Sequence, residues 1–305
     1  MKPAHPPWRL LIQGPLPPPL ALAVDEAIAL CCTQGGGRST LRFYQWDRPA
    51  VSLGRFQAAE RAMRDMDQPG APALVRRITG GRAVWHEHEL TYSLVSPLPS
   101  NHFPSTLHGT VAAISAGLAG GLTALGLAPS IRTPPSATAG HRDRNGAADE
   151  SSHFCFAAAA WYEIVCGGKK IVGSAQRRWR DRFLQQGSIL LDYDPDAACR
   201  WLKIDAVAAG AAAGLNTMLG GSIGPDRLAC RLAQGLADAW GIEWREEPLT
   251  EEELELAQRL VREKYGAAAW TFGAREPQLQ SRGACSAPLD NPHRRILRSR
   301  SRALA

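Results

Sequence analysis

From residue 105 to about residue 125, apolar side chains fall at Leu107, Val111, Ile114, Leu118, Leu122 and Leu125. Steps of three and four put them on one face of a helix, which Gly126 closes. A different period governs Leu90-Thr91-Tyr92-Ser93-Leu94-Val95, where strict alternation predicts a strand. Residues 41–46 and 50–53 read as two more strands, across the turn Asp47-Arg48-Pro49. Residues 161–166 and 169–176 predict a hairpin about Gly167-Gly168, a pair suited to a primed turn. A further strand follows over 183–191. Helices are predicted over 20–32, behind Pro15, Pro17, Pro18 and Pro19, and over 58–66. Another starts at Pro225, with Leu228, Leu232, Leu236 and Trp240 on one side and Gly241 past its end. The last spans 251–264, where Thr250 and Glu253 form a capping box. Residues 128–152 have no period and read as a flexible loop. The chain from 273 to 305 is polar and Arg-rich and reads as a disordered tail. Strands, then a helix, then strands, then helices make an α+β fold with a mixed, largely antiparallel sheet flanked by helices.

Composition narrows the class. The 305 residues are 45% hydrophobic, enough chain for a substantial core. The most apolar stretch, 20–32, is interrupted by Asp25 and Glu26, so no membrane span is expected. Seven cysteines show no paired spacing and no C-x-x-C. Free thiols in a reducing, cytoplasmic compartment are expected, without a disulfide framework or a Cys-type zinc site. The net charge of +6 hints at nucleic acid. Residues 275–305, however, hold seven Arg against two acids, or +5, which leaves +1 for the other 274. That argues against a basic groove on the folded part.

Candidate chemistry centres on residues 75–95, V-R-R-I-T-G-G-R-A-V-W-H-E-H-E-L-T-Y-S-L-V. Gly80 and Gly81 permit a turn with no side chain in the way, so the backbone there can lie flat against a ligand or simply reverse the chain. His86-x-His88 lacks a third ligand at a telling spacing, and no metal site is expected. Gly167-Gly168-Lys169-Lys170 is not a phosphate loop, because G-x-x-x-x-G-K-[ST] is absent. In the second hairpin strand, alternation turns Lys169 and Lys170 to opposite faces.

R-R-I-T-G-G-R-A-V-W-H (76–86), E-L-T-Y-S (89–93), K-I-V-G-S-A-Q (170–176) and L-Q-Q-G-S-I-L-L (184–191) together resemble the lipoate/biotin protein ligase-like catalytic domain. L-R-F-Y-Q-W (41–46) and V-S-L-G-R-F-Q (51–57) resemble its start, and the likeness spans about 8–272 in order. It implies the class II aminoacyl-tRNA synthetase/biotin synthetase-like fold. Within that family the chain looks most like octanoyltransferases of the ligase-like branch. The turn is Gly80-Gly81-Arg82 where ligases usually carry a third Gly, and Cys155-Phe156 stands where that branch has its nucleophile. Departures are Ala157 to Ala160 in place of more polar residues, Glu87 in place of Asp, and Gln186 in place of His.

The resemblance implies transfer of an octanoyl group from acyl carrier protein to a lysine of a lipoyl domain, such as that of the glycine cleavage H protein, with no cofactor. Cys155 would carry the acyl group as a thioester, with Lys170 as the adjacent cation. Arg76, Arg77, Thr79, Gly80, Gly81, Ala83, His86, Gly173, Ser174 and Ala175 would bind substrate, the small residues among them forming an apolar slot. The alternatives are an ATP-dependent lipoate–protein ligase and a non-catalytic binder of lipoyl domains.

Overall fold

The computed structural model describes residues 8–33, 37–133, 155–157 and 161–273. Its centre is an eight-stranded sheet built from β1 (Trp8–Leu16), β2 (Thr40–Trp46), β6 (Glu89–Pro97), β7 (Ser130–Ile131), β8 (Ile164–Cys166), β9 (Lys169–Arg178), β10 (Arg182–Leu190) and β11 (Trp244–Glu246). The order is β11-β1-β2-β6-β10-β9-β8-β7. β1 runs parallel to both neighbours, and the other pairs are antiparallel. A second sheet places β3 (Ala50–Leu53) between β4 (Ala73–Arg76) and β5 (Val84–His86). The fold is therefore α+β with a mixed, mainly antiparallel sheet, as the order of elements predicts.

Alternation along β2 sends Leu41 and Phe43 to one face and Tyr44 and Trp46 to the other. The first face packs on α3 (Leu107–Thr123) and α7 (Pro225–Trp240), and the second on α1 (Pro18–Cys31) and α8 (Glu251–Leu260). Three short helices, α4 (Pro195–Trp201), α5 (Ala206–Ala209) and α6 (Leu215–Leu219), lie along the chain between β10 and α7. Local chemistry sets the helix ends. Thr250 accepts from the Glu253 N–H while the Glu253 carboxylate accepts from the Thr250 N–H, the expected capping box. Gly241 ends α7 at φ 62°. Gly167 and Gly168 both have positive φ between β8 and β9, as a primed hairpin turn requires.

The structure corrects several expectations. β1 escapes the sequence pattern because Gly14 and Pro15 read as breakers; Pro15 sits beyond a register shift after Ile12. Strand 50–53 does not pair with 40–46 across the turn at 47–49 but enters the other sheet. The helix expected over 58–66 is a single turn, α2 (Ala59–Ala62), and the loop expected over 128–152 contains β7. Residues 134–154, 158–160 and 274–305 lie outside the described residues, and with them most of that loop and nearly all of the tail.

The face of α3 is also rotated from the apolar stripe. Ile114, Leu118 and Leu122 are buried, but Leu107 is 44% exposed, and Gly117 and Gly121 lie at the contact with α7. A Cβ on Gly235 would stand 2.3 Å from Gly121 N, so the two helix backbones touch. Gly235→Val should cost about 2–3 kcal/mol by overpacking, a drop in Tm of roughly 5 °C. A melting curve unchanged by that substitution would contradict the contact.

Candidate active site

Between β4 and β5 the chain passes through Thr79-Gly80-Gly81. These strands flank β3 on opposite sides, so the segment is a crossover and not a hairpin turn. Gly81 takes φ +87°, and a Cβ at Gly54, just after β3, would lie 1.8 Å from Gly81 O. Only glycine allows this approach of two backbones. Arg77 fastens the turn from beneath: its guanidinium donates to Ser52 O (2.8 Å), Ser52 Oγ (3.1 Å), Gly80 O (2.8 Å) and Arg82 O (2.7 Å). From the other side Thr79 Oγ1 donates to Gln186 Oε1 at 2.9 Å. Gln186 Nε2 in turn donates to Asp25 Oδ2 at 2.7 Å. Asp25, on α1, is fully buried, pairs with the equally buried Arg42, and accepts from Tyr44 Oη (3.0 Å) and Ser93 Oγ (2.6 Å).

Cys155 opens a short 3-10 turn (Cys155–Ala157) whose start is pinned by a 2.8 Å hydrogen bond from its N–H to Ala83 O. Lys170, 2% exposed, reaches this turn from β9, while Lys169 is exposed, the opposite facing that alternation predicts. The Lys170 ammonium donates to Cys155 O at 2.6 Å and lies 3.8 Å from Cys155 Sγ. It is also 2.6 Å from Glu163 Oε2 and 5.0 Å from the centre of the Phe156 ring. Gly173 leaves room for the sulfur, since a Cβ there would sit 3.4 Å from Sγ and 3.1 Å from Phe156 Cζ. Deep burial of a lysine is costly without a partner, and the Glu163 carboxylate supplies one.

The sulfur faces a partly open pocket walled mainly by α1, β2, β5, β9 and β10, with Leu22, Tyr44, Trp46, Val84, Thr91 and Gln186 in its wall. Of the residues singled out in the sequence, Cys155, Arg77, His86, Gly173, Ser174 and Ala175 line it. Gly81 backs the wall, its Cβ position 3.7 Å from Ala175 Cβ. Thr79 and Ala83 are buried and act through the hydrogen bonds just given, and Gly80 lends its carbonyl to Arg77. Arg76 goes elsewhere. Its guanidinium donates to Gly54 O (2.8 Å), Gln57 O (2.6 Å), Trp270 O (3.0 Å) and Thr271 O (2.6 Å). These bonds fasten the segment after β3 to the helix α9 (Ala268–Gly273).

Sequence reasoning missed the carboxylates behind the wall. His86 stacks on Trp46 at 4.0 Å, and its Nδ1 is 2.6 Å from Glu89 Oε1 while its Nε2 is 2.7 Å from Ser52 Oγ. Glu89 is 1% exposed and also accepts from Trp46 Nε1 at 3.0 Å. Alternation in E-L-T-Y-S does carry a signal, because it puts Glu89, Thr91 and Ser93 on one face. Nothing in the sequence marks Glu163 or Asp25 as partners of Lys170 and Arg42.

Residues 17–236 match the family described as the lipoyl protein ligase A/B catalytic domain. The chain is 37% identical over 278 residues to the octanoyltransferase LipM of Kyrpidia tusciae, covering 87% of this chain and 98% of that one. It is 38% identical over 277 residues to the octanoyltransferase LipM of Symbiobacterium thermophilum, with the same coverage. Among solved structures, a bi-partite lipoate protein ligase from Thermoplasma acidophilum superimposes with a TM-score of 0.72 at 25% identity, over 90% of this chain and 99% of that one.

Proposed function

Since the chain belongs to the lipoyl protein ligase A/B catalytic domain family, we propose that Cys155 carries the acyl group in the reaction it performs. The protein is an octanoyltransferase of protein lipoylation, an acyltransferase like its curated relatives. Its partners are an acyl donor and a lipoyl-domain acceptor. The proposed donor is octanoyl-acyl carrier protein, and the proposed acceptor a lipoyl domain such as the glycine cleavage H protein. Among the described residues no helix is long and apolar enough to cross a membrane.

The Cys155 thiolate attacks the carbonyl carbon of the octanoyl thioester. The bond from that carbon to the carrier sulfur breaks, and the carrier thiolate leaves and takes up a proton. The acceptor lysine, as the neutral amine, then attacks the Cys155 thioester. It loses a proton, forms the amide and releases the Cys155 thiolate. Lys170, beside the sulfur, donates hydrogen bonds toward charge that develops on oxygen or sulfur. The cavity takes the acyl tail, and burial of about seven methylene groups contributes roughly 5–6 kcal/mol before ordering costs.

The observation that carries this reading is the 3.8 Å approach of the Lys170 ammonium to the Cys155 sulfur at the wall of the cavity. Intact-mass analysis tests it. Mixed with octanoyl carrier protein and no ATP, the protein should gain one octanoyl group and lose it when acceptor is added. No gain without ATP, together with acceptor modification that needs ATP and free lipoate, would establish a ligase instead.

A further inference from the structure

Two buried cations bear on the Cys155 site, Lys170 beside the sulfur and Arg77 in the same pocket wall, and they differ in net effect. Lys170 is 3.8 Å from Sγ but 2.6 Å from the Glu163 carboxylate, and both residues are buried. The ammonium and the carboxylate carry opposite charges 2.6 Å apart, so each offsets the field of the other at its neighbours. Arg77 lies in the same cavity wall as Cys155 and is 5% exposed. Its four hydrogen bonds all go to neutral oxygens, those of Ser52, Gly80 and Arg82. Among the described residues no carboxylate pairs with it. Burial pulls the guanidinium down to about 10, and the nearby Cys155 acts in the opposite direction. It stays charged at neutral pH.

The other titratable groups at or near the cavity do not take this role. His86 is engaged by Glu89 and Ser52. Tyr44 is held well above the usual phenol range by burial and by Asp25, so it stays neutral. Tyr92, whose hydroxyl meets Ser174 Oγ at 2.8 Å, is pushed up to about 12 by burial and is neutral as well. Arg42, on the same strand as Tyr44, is paired with Asp25.

With Cys155 as the nucleophile, we infer that Arg77 supplies the net positive charge that favours its thiolate. The Lys170–Glu163 pair, as a unit, holds and orients the turn that carries the sulfur. Glu163 is thus a positioning residue acting through Lys170, and Arg77 acts on the sulfur through the field of its charge. A site with a carboxylate-paired lysine and an arginine bonded only to neutral oxygens can keep the thiolate without forfeiting the hydrogen bonds of the lysine.

Iodoacetamide alkylation of the full-length protein, followed at the Cys155 peptide by mass spectrometry, separates the two contributions. Reading the Cys155 peptide alone keeps the other thiols out of the rate; burial pushes Cys31 up to about 11 and Cys32 up to about 12, and raises Cys199 and Cys230. Arg77→Gln should slow Cys155 alkylation at pH 7 by about tenfold or more and move its pH profile upward. Arg77→Lys should restore most of the rate. The double variant Glu163→Gln/Lys170→Met loosens the turn and loses the hydrogen bonds of the lysine, so its rate falls, but its pH profile should move by less than about one unit. A double variant whose pH profile moves upward by about one unit or more overturns the inference, as does an Arg77→Gln protein that alkylates normally. Should Arg77→Gln fail to fold by circular dichroism, Arg77→Lys and the double variant decide. The octanoyl mass gain of the wild type is read separately: its absence defeats Cys155 as nucleophile, whatever the alkylation rates show.

Discussion

Cys155→Ser abolishes acyl transfer, with a rate loss on the order of a thousandfold or more, and the octanoyl mass gain disappears with it. A serine hydroxyl does not ionise near neutral pH, and nothing at the end of the Lys170 side chain is placed to remove its proton: the ammonium is itself paired with Glu163. Stability should change little, since the cysteine is only half-buried and its turn is held by the backbone bond to Ala83 O. The measurement is the initial rate of octanoyl transfer to the acceptor beside a melting curve. A serine variant that transfers at the wild-type rate removes Cys155 from the chemistry. One that modifies the acceptor only with ATP and free lipoate would assign ligase activity.

Asp25→Ala gives the largest expected loss of stability. The substitution strands Arg42, which is fully buried, and also removes the acceptor for Tyr44, Ser93 and Gln186. Breaking a buried pair from one side costs about 3–5 kcal/mol, because the remaining charge stays in the interior. At roughly 2 °C per kcal/mol or more, Tm falls by roughly 10 °C. Gln186 also loses its hold, and through it Thr79, so the glycine turn loosens and KM for the acyl donor rises. Asp25→Ala/Arg42→Met should recover part of the stability, because no unpaired charge remains. Thermal denaturation decides: an Asp25→Ala protein melting within about 2–3 °C of wild type would show that the network is not coupled as described.

Features that depend on near neighbours could be read from the residues alone. The caps of α7 and α8, the glycine pair between β8 and β9 and the opposite facing of Lys169 and Lys170 follow from spacing and backbone geometry over a few residues. The resemblance added the order of the motifs and pointed to Cys155 and Lys170, which lie fifteen positions apart and meet at one turn. The packing of the whole chain settled everything else. Arg76 and Arg77 are adjacent and chemically alike, yet one fastens carbonyls of α9 almost two hundred positions away and the other faces the cavity. Alternation assigns them opposite faces, but only the packing says what each face meets. The same holds for β3, whose pattern marks a strand without saying which sheet it joins, and for Asp25, whose partners come from β2, β6 and β10. A local pattern records whether a side chain turns inward; the identity of its partner is set by segments far along the chain, and that choice is made when the whole core closes.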